Sequence, residues 1–197
     1  CIRVSTGTMP VLEKHAIDTA ALQGFMQANV SGFEGEISIE EFKGGQSNPT
    51  YKVVSPSKSY VLRRKPPGKL LKSAHAVDRE YRVITALNQT TVPVPTSYAL
   101  CEDDSIIGTA FYLMEYMDGR VLWDASMNGH SKEESFGVYA SMNSTMAALH
   151  SVDPYEIGLE TFGKPGNYVG RQVSIWTKQY QDSETEEIKD MNKLIEW

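Results

Sequence analysis

Cysteine is scarce in this sequence. Only Cys1 and Cys101 occur among 197 residues, with no ligand-like spacing between them. That excludes a disulfide framework and a zinc site, and it fits a reducing compartment: the cytoplasm, or the matrix of an organelle such as a mitochondrion or peroxisome. Basic residues are also in deficit. Nineteen Lys and Arg stand against twenty-five Asp and Glu, for a net charge of −6, which argues against a nucleic-acid partner. No apolar run approaches the ~20 residues needed to span a bilayer. Residues 1–10 lack the apolar centre of a secretion signal. What the chain does have is material for a packed core: 41% of residues are hydrophobic and 22% charged, so global disorder is excluded.

Periodicity divides the chain into three parts. Residues 1–15 read as an N-terminal extension. Residues 16–119 read as an α+β lobe: a helix over His15–Val30, then strand-like runs at Glu36–Lys43, Thr50–Ser55 and Ser59–Lys65. The first of these runs alternates imperfectly, with Glu41 in line with Ile37 and Ile39. A helix over Ala74–Asn88 and two strands, Ser97–Cys101 and Phe111–Tyr116, complete the lobe. From 120 onward only helices are predicted. One runs from the capping box Ser131–Glu134 to His150, with Val138 (or Tyr139), Met142, Met146 and Leu149 as its stripe. Two more follow, over Arg171–Gln181 and Glu184–Trp197, the last behind a second box, Ser183 to Glu186. The chain starts at Cys1 rather than Met, and "DMNKLIEW" is still helical in pattern with no closing Gly, Asn or Pro. The expectation is a fragment of a longer protein.

Four features in this order carry chemistry. Gly44-Gly45-Gln46-Ser47-Asn48 joins two strands; a glycine-rich turn can offer backbone N–H groups to phosphate, although a plain hairpin loop looks the same locally. "YVLRRK" places Val61 and Arg63 on one face of the third strand and Leu62 and Arg64 on the other. A base at that place can hold phosphate, and a solvated basic stretch is the alternative. Glu80 lies at the flank of the apolar line of its helix, where an acid can reach the strand base or serve as a surface partner. "FYLMEYMDG" is an apolar strand ending at the lobe junction, whose backbone can bond an adenine edge. Phosphoryl transfer needs positioning and positive charge, which these four features can supply in the order in which a kinase carries them.

The stretches "FKGGQSNPTY", "YVLRRKPPGKLLKSAHAVDREYRV", "VPVP", "IGTAFYLMEYMDGR" and "RQVSIWTKQY" closely resemble the aminoglycoside phosphotransferase-like family. More narrowly, they resemble the phosphotransferase domain fused to long, multidomain acyl-CoA dehydrogenases. The resemblance runs from about Ala16 to Trp197. It implies a protein-kinase-like two-lobe fold, with a complete N-terminal nucleotide-binding lobe and the start of a helical C-terminal lobe. It implies ATP with Mg²⁺, and transfer of the γ-phosphoryl to a small-molecule hydroxyl, with a hydroxylated acyl compound as the acceptor class. A fused or associated acyl-CoA dehydrogenase is the implied partner. By motif, Gly44, Gly45, Gln46, Ser47 and Asn48 form the phosphate loop, Arg63 the strand base, Glu80 its partner, and Glu115, Tyr116 and Met117 the hinge, with Val61 against adenine. Arg63 stands where protein kinases have lysine; it holds phosphate bidentately but cannot move a proton.

The family's catalytic His-Gly-Asp run and its later metal-binding Asp do not occur. His75 and His150 read as ordinary helix residues. The catalytic base and the Mg²⁺ ligands are therefore expected after Trp197, and no residue of this chain is assigned to either. The alternative is a catalytically incomplete module that binds nucleotide or packs on a partner. Tyr168, Trp176 and Tyr180 could meet an acceptor, but core packing is the better account of each.

Overall fold

The computed structural model describes residues 7–43, 48–68, 75–122 and 124–197. Two compact units divide the chain, Cys1–Leu159 and Glu160–Trp197. The first is built on an antiparallel sheet of β1 (Thr8–Met9), β2 (Ser38–Phe42), β3 (Thr50–Val54), β4 (Ser59–Arg64), β5 (Ser97–Cys101) and β6 (Phe111–Glu115). Across the sheet the order is β1-β2-β3-β4-β6-β5. The central strand β4 is paired on both sides and is buried at Tyr60, Val61, Leu62 and Arg64.

One sheet face carries the main core. Helix α1 (Thr19–Asn29) is opened by Asp18, whose carboxylate accepts from the Ala21 N–H, a side-chain N-cap. Its buried Leu22 and Met26 are one turn apart and meet Tyr51, Val53, Tyr60, Leu62 and Leu113 from the strands. Phe25 packs edge-on against Phe111 with ring centroids 5.1 Å apart, a favoured aromatic geometry. The opposite face is covered by α2 (Val77–Leu87), through Val77, Tyr81 and Ile84 against Tyr112, Leu100 and Met114. These are i, i+4 and i+7 positions, one stripe of a helix.

The imperfect alternation of β2 has a physical cause. Glu41 faces inward and is only 6% exposed. Its carboxylate accepts from the Leu12 N–H at 3.1 Å and meets His15 Nδ1 at 2.7 Å. A buried carboxylate is tolerable because those partners are supplied. Residues before α1 therefore belong to the sheet: β1 pairs with β2, and a short 3-10 turn over Glu13–His15 sits on Glu41.

The acidic turn between β5 and β6 contains one helical turn, α3 (Asp104–Ile107), capped by Asp103 and closed by Gly108 at φ 85°. The capping box of α4 (Lys132–His150) forms as expected, with both reciprocal bonds between Ser131 and Glu134. Its stripe does not become core: Tyr139, Met142, Met146 and Leu149 stay exposed. In the second unit, α5 (Tyr168–Ser183) and α6 (Lys189–Glu196) are present. The second expected capping box does not form. Ser183 ends α5, with its hydroxyl donating to the Gln179 and Tyr180 carbonyls, so α6 begins only at Lys189 without a side-chain cap. A serine can bond back to its own helix as readily as it opens a new one.

Candidate functional site

Strand alternation gives adjacent arginines opposite fates. Arg64 points to the α1 side and is 3% exposed; it donates to the Ile107 and His15 carbonyls and lies over the Tyr51 ring. Arg63 points to the α2 side with Val61, as the sequence pattern requires. In the sheet register Arg63 is opposite Tyr112 of β6 on one side and Thr50 of β3 on the other.

Glu80, in the first turn of α2, gathers this face. Arg63 Nε lies 2.7 Å from Oε2. The Nε–H does not point along that line, so the contact is an ion pair rather than an aligned hydrogen bond. Arg63 Nη2 donates to Oε1 at 3.4 Å and Asn48 Nδ2 to the same oxygen at 3.1 Å. Tyr112 donates its hydroxyl to Oε2 at 3.0 Å. Burial, and then the Glu80 carboxylate, hold the Tyr112 phenol well above its usual pKa, so it stays a donor. The Arg63 and Glu80 side chains are each 34% exposed. The pair is thus fixed from the sheet side and open to solvent on the other.

Asn48 is buried and is reached from beyond the strand as well: its Oδ1 lies 2.8 Å from His75 Nδ1. His75 is not a helix residue, contrary to the sequence reading. It precedes α2 in a turn with φ 60°, a left-handed conformation uncommon outside glycine. The missed signal was the stop in helical periodicity before Val77.

At the other end of β6, the Glu115 carboxylate accepts from the Thr96 N–H and hydroxyl, and the bond from that N–H is the main reason its pKa is lowered. Tyr116 stacks on Phe42, with centroids 6.5 Å apart and planes 16° from parallel, and Lys52 Nζ sits 4.4 Å over the Tyr116 ring. Lys52 is in turn the cross-strand partner of Val61. Met117 is 60% exposed. Gly44, Gly45, Gln46 and Ser47 lie outside the described residues.

Residues 38–197 match the model of the phosphotransferase enzyme family, APH. This chain belongs to that family. Its relatives include mouse acyl-CoA dehydrogenase family member 10, 44% identical over 96% of this chain and 18% of that protein. Rat acyl-CoA dehydrogenase family member 11 is 41% identical over 98% of this chain and 25% of that protein. The chain thus spans a quarter or less of the length of these curated relatives. Among solved structures it is similar to a candidate aminoglycoside phosphotransferase from Ralstonia eutropha JMP134, with 52% identity and a TM-score of 0.75 over 92% of this chain and 53% of that one. The phosphotransferase fold, with its N-terminal antiparallel sheet and following helical region, is the α+β architecture described above.

Within this chain, sequence reasoning missed Tyr112, His75, Phe42 and Lys52. Each acts across the fold rather than along the chain. Tyr112 becomes visible only once the register sets it opposite Arg63. Among the described residues no group of three or more His, Cys, Asp or Glu side chains could hold a metal ion, and no helix is long and apolar enough to cross a membrane.

Proposed function

We propose that this chain is the nucleotide-binding part of an ATP-dependent phosphotransferase acting on a small-molecule hydroxyl. The observation that carries the reading is the Arg63–Glu80 pair, held on the sheet face away from the main core and about a third exposed to solvent. A guanidinium has five N–H donors. Glu80 engages it at Nε and Nη2, which fixes its plane while leaving donors for phosphate oxygens.

In the proposed reaction the acceptor hydroxyl oxygen bonds to the γ-phosphorus. The bond from that phosphorus to the β–γ bridging oxygen breaks, ADP leaves, and the hydroxyl proton passes to a base. Arg63 and the Gly44–Asn48 loop hold and orient the phosphates, and Glu80 orients Arg63. Val61 and the backbone of Glu115–Met117 receive adenine. Arg63 cannot be the base, because a guanidinium keeps its proton. Mg²⁺ would neutralise phosphate charge when bound. The described residues offer no cluster for it, and both its ligands and the base would come from residues outside this chain. The relatives are named acyl-CoA dehydrogenase family members, which supports a fused or associated acyl-CoA dehydrogenase as partner; with such a partner, a hydroxylated acyl compound is the acceptor class proposed.

Replacing Arg63 with Ala tests the reading. Turnover is expected to fall by about 10²-fold or more, the size of effect seen when a charge-stabilising donor is lost. Unchanged phosphate transfer would remove Arg63 from the site. A second reading, a binding module without its own chemistry, is favoured by the second unit. There α5 and α6 line an open groove of about 720 Å³ with Tyr168, Val173, Trp176 and Leu194, and Trp176 is 64% exposed. Nucleotide binding with no transfer to any hydroxyl in the intact protein would favour that reading.

A further inference from the structure

The geometry points to His75 as a positioning residue, which sets the Asn48 amide and through it the Glu80–Arg63 pair. The inference rests on the nucleotide-binding role proposed above, but its core is a chain of forced donors and acceptors. An ionised Glu80 can only accept, so the Asn48 group facing Oε1 is the Nδ2 amine, 3.1 Å away. The Oδ1 end of the same amide then faces His75 Nδ1 at 2.8 Å. An amide oxygen has no proton to give, so His75 must carry one on Nδ1. The order of donation is fixed: His75 to Asn48, Asn48 to Glu80, with Arg63 and Tyr112 completing the carboxylate.

Two further observations support a device rather than a chance contact. Asn48 is 4% exposed, so an unpartnered amide there would be costly. His75 reaches it from a backbone at φ 60°, a left-handed conformation that is costly for an ordinary L-residue. A strained residue is retained only where the surroundings over-determine it. His75 sits two residues before α2 and Asn48 two residues before β3. The clamp therefore ties the end of the glycine-rich run to the helix that carries Glu80.

The test separates side chain from backbone. His75→Gly accepts the left-handed conformation but removes the imidazole. His75→Asn also tolerates that conformation and places an amide N–H near the position of Nδ1. Affinity for a non-hydrolysable ATP analogue is measured on the 197-residue chain, together with ¹⁵N spectra of the histidines. The expected result is an Nδ1-protonated His75 in the wild type. His75→Gly should bind about tenfold more weakly, the worth of one hydrogen bond to a buried polar group, and His75→Asn should recover most of that loss. A His75 protonated on Nε2 alone overturns the inference. So does wild-type affinity in His75→Gly, or equal loss in both variants. If the wild type binds no nucleotide, the proposed function fails instead. The clamp is then judged by the tautomer and by whether His75→Gly, but not His75→Asn, speeds exchange of the Asn48 side-chain amide protons.

Discussion

Arg63 and Arg64 are one peptide bond apart and do different work, and the difference is set by strand alternation alone. Arg64 is sealed beneath the sheet, where it satisfies the Ile107 and His15 carbonyls and covers the Tyr51 ring. Arg64→Ala would take the donor from the Ile107 carbonyl, remove one of the two donors to the His15 carbonyl and open a void beside Tyr51. A loss of about 3 kcal/mol or more in unfolding free energy is expected, readable as a lower urea midpoint. Arg63→Ala should leave that midpoint within about 1 kcal/mol of wild type, because its ion pair is a third exposed and partly screened. Equal destabilisation by both would mean that the Arg63–Glu80 pair is structural rather than poised for a ligand.

At the scale of elements, α4 shows what holds a helix whose apolar stripe is left open. Its reciprocal capping box satisfies two N-terminal donors, and Ser131→Ala should cost about 1 kcal/mol. Helicity by circular dichroism and the thermal midpoint check this; no change in either would show that the box contributes nothing. Ser131–Glu134 was legible in the sequence because such a box is local: two residues three apart, just before a helical run. The strands were legible for the same reason, since Tyr51, Val53, Tyr60 and Leu62 alternate inward. The Arg63–Glu80 pairing could be proposed because the strand period and the helix period each fix a face. Tyr112, Asn48 and His75 complete that site through contacts 27 to 32 residues apart in sequence, and no local pattern encodes a register. Ser183 failed as a cap signal because the same hydroxyl had carbonyls of α5 within reach.

At the scale of the whole first unit, the residues before α1 are bound into the sheet through one polar cluster. The Tyr51 hydroxyl donates to the His15 carbonyl at 3.0 Å, Arg64 donates to the same carbonyl, and Glu41 takes the Leu12 N–H and the His15 ring. Burial raises the Tyr51 pKa to about 12, against the pull of the Arg64 guanidinium, which favours the phenolate. Tyr112 is raised as well, by burial first and then by Glu80. A tyrosine in the unfolded chain ionises near ~10. Between that pH and the folded value the unfolded chain has given up a proton that the folded chain keeps. The unfolded state then binds fewer protons, so stability falls as pH rises. The contribution is complete below pH ~10 and is lost progressively toward ~12. Tyr51→Phe removes this titration together with the bond to the His15 carbonyl. The variant should be less stable than wild type at neutral pH by about 1 kcal/mol, and the gap should narrow above pH ~10. Lysine deprotonation acts on both proteins alike, so the comparison isolates Tyr51. Urea midpoints for the two at pH 7, 9.5 and 11 decide the matter. Parallel curves would show that the folded environment does not hold the Tyr51 proton, and that the seam joining the N-terminal segment to the sheet does not depend on it.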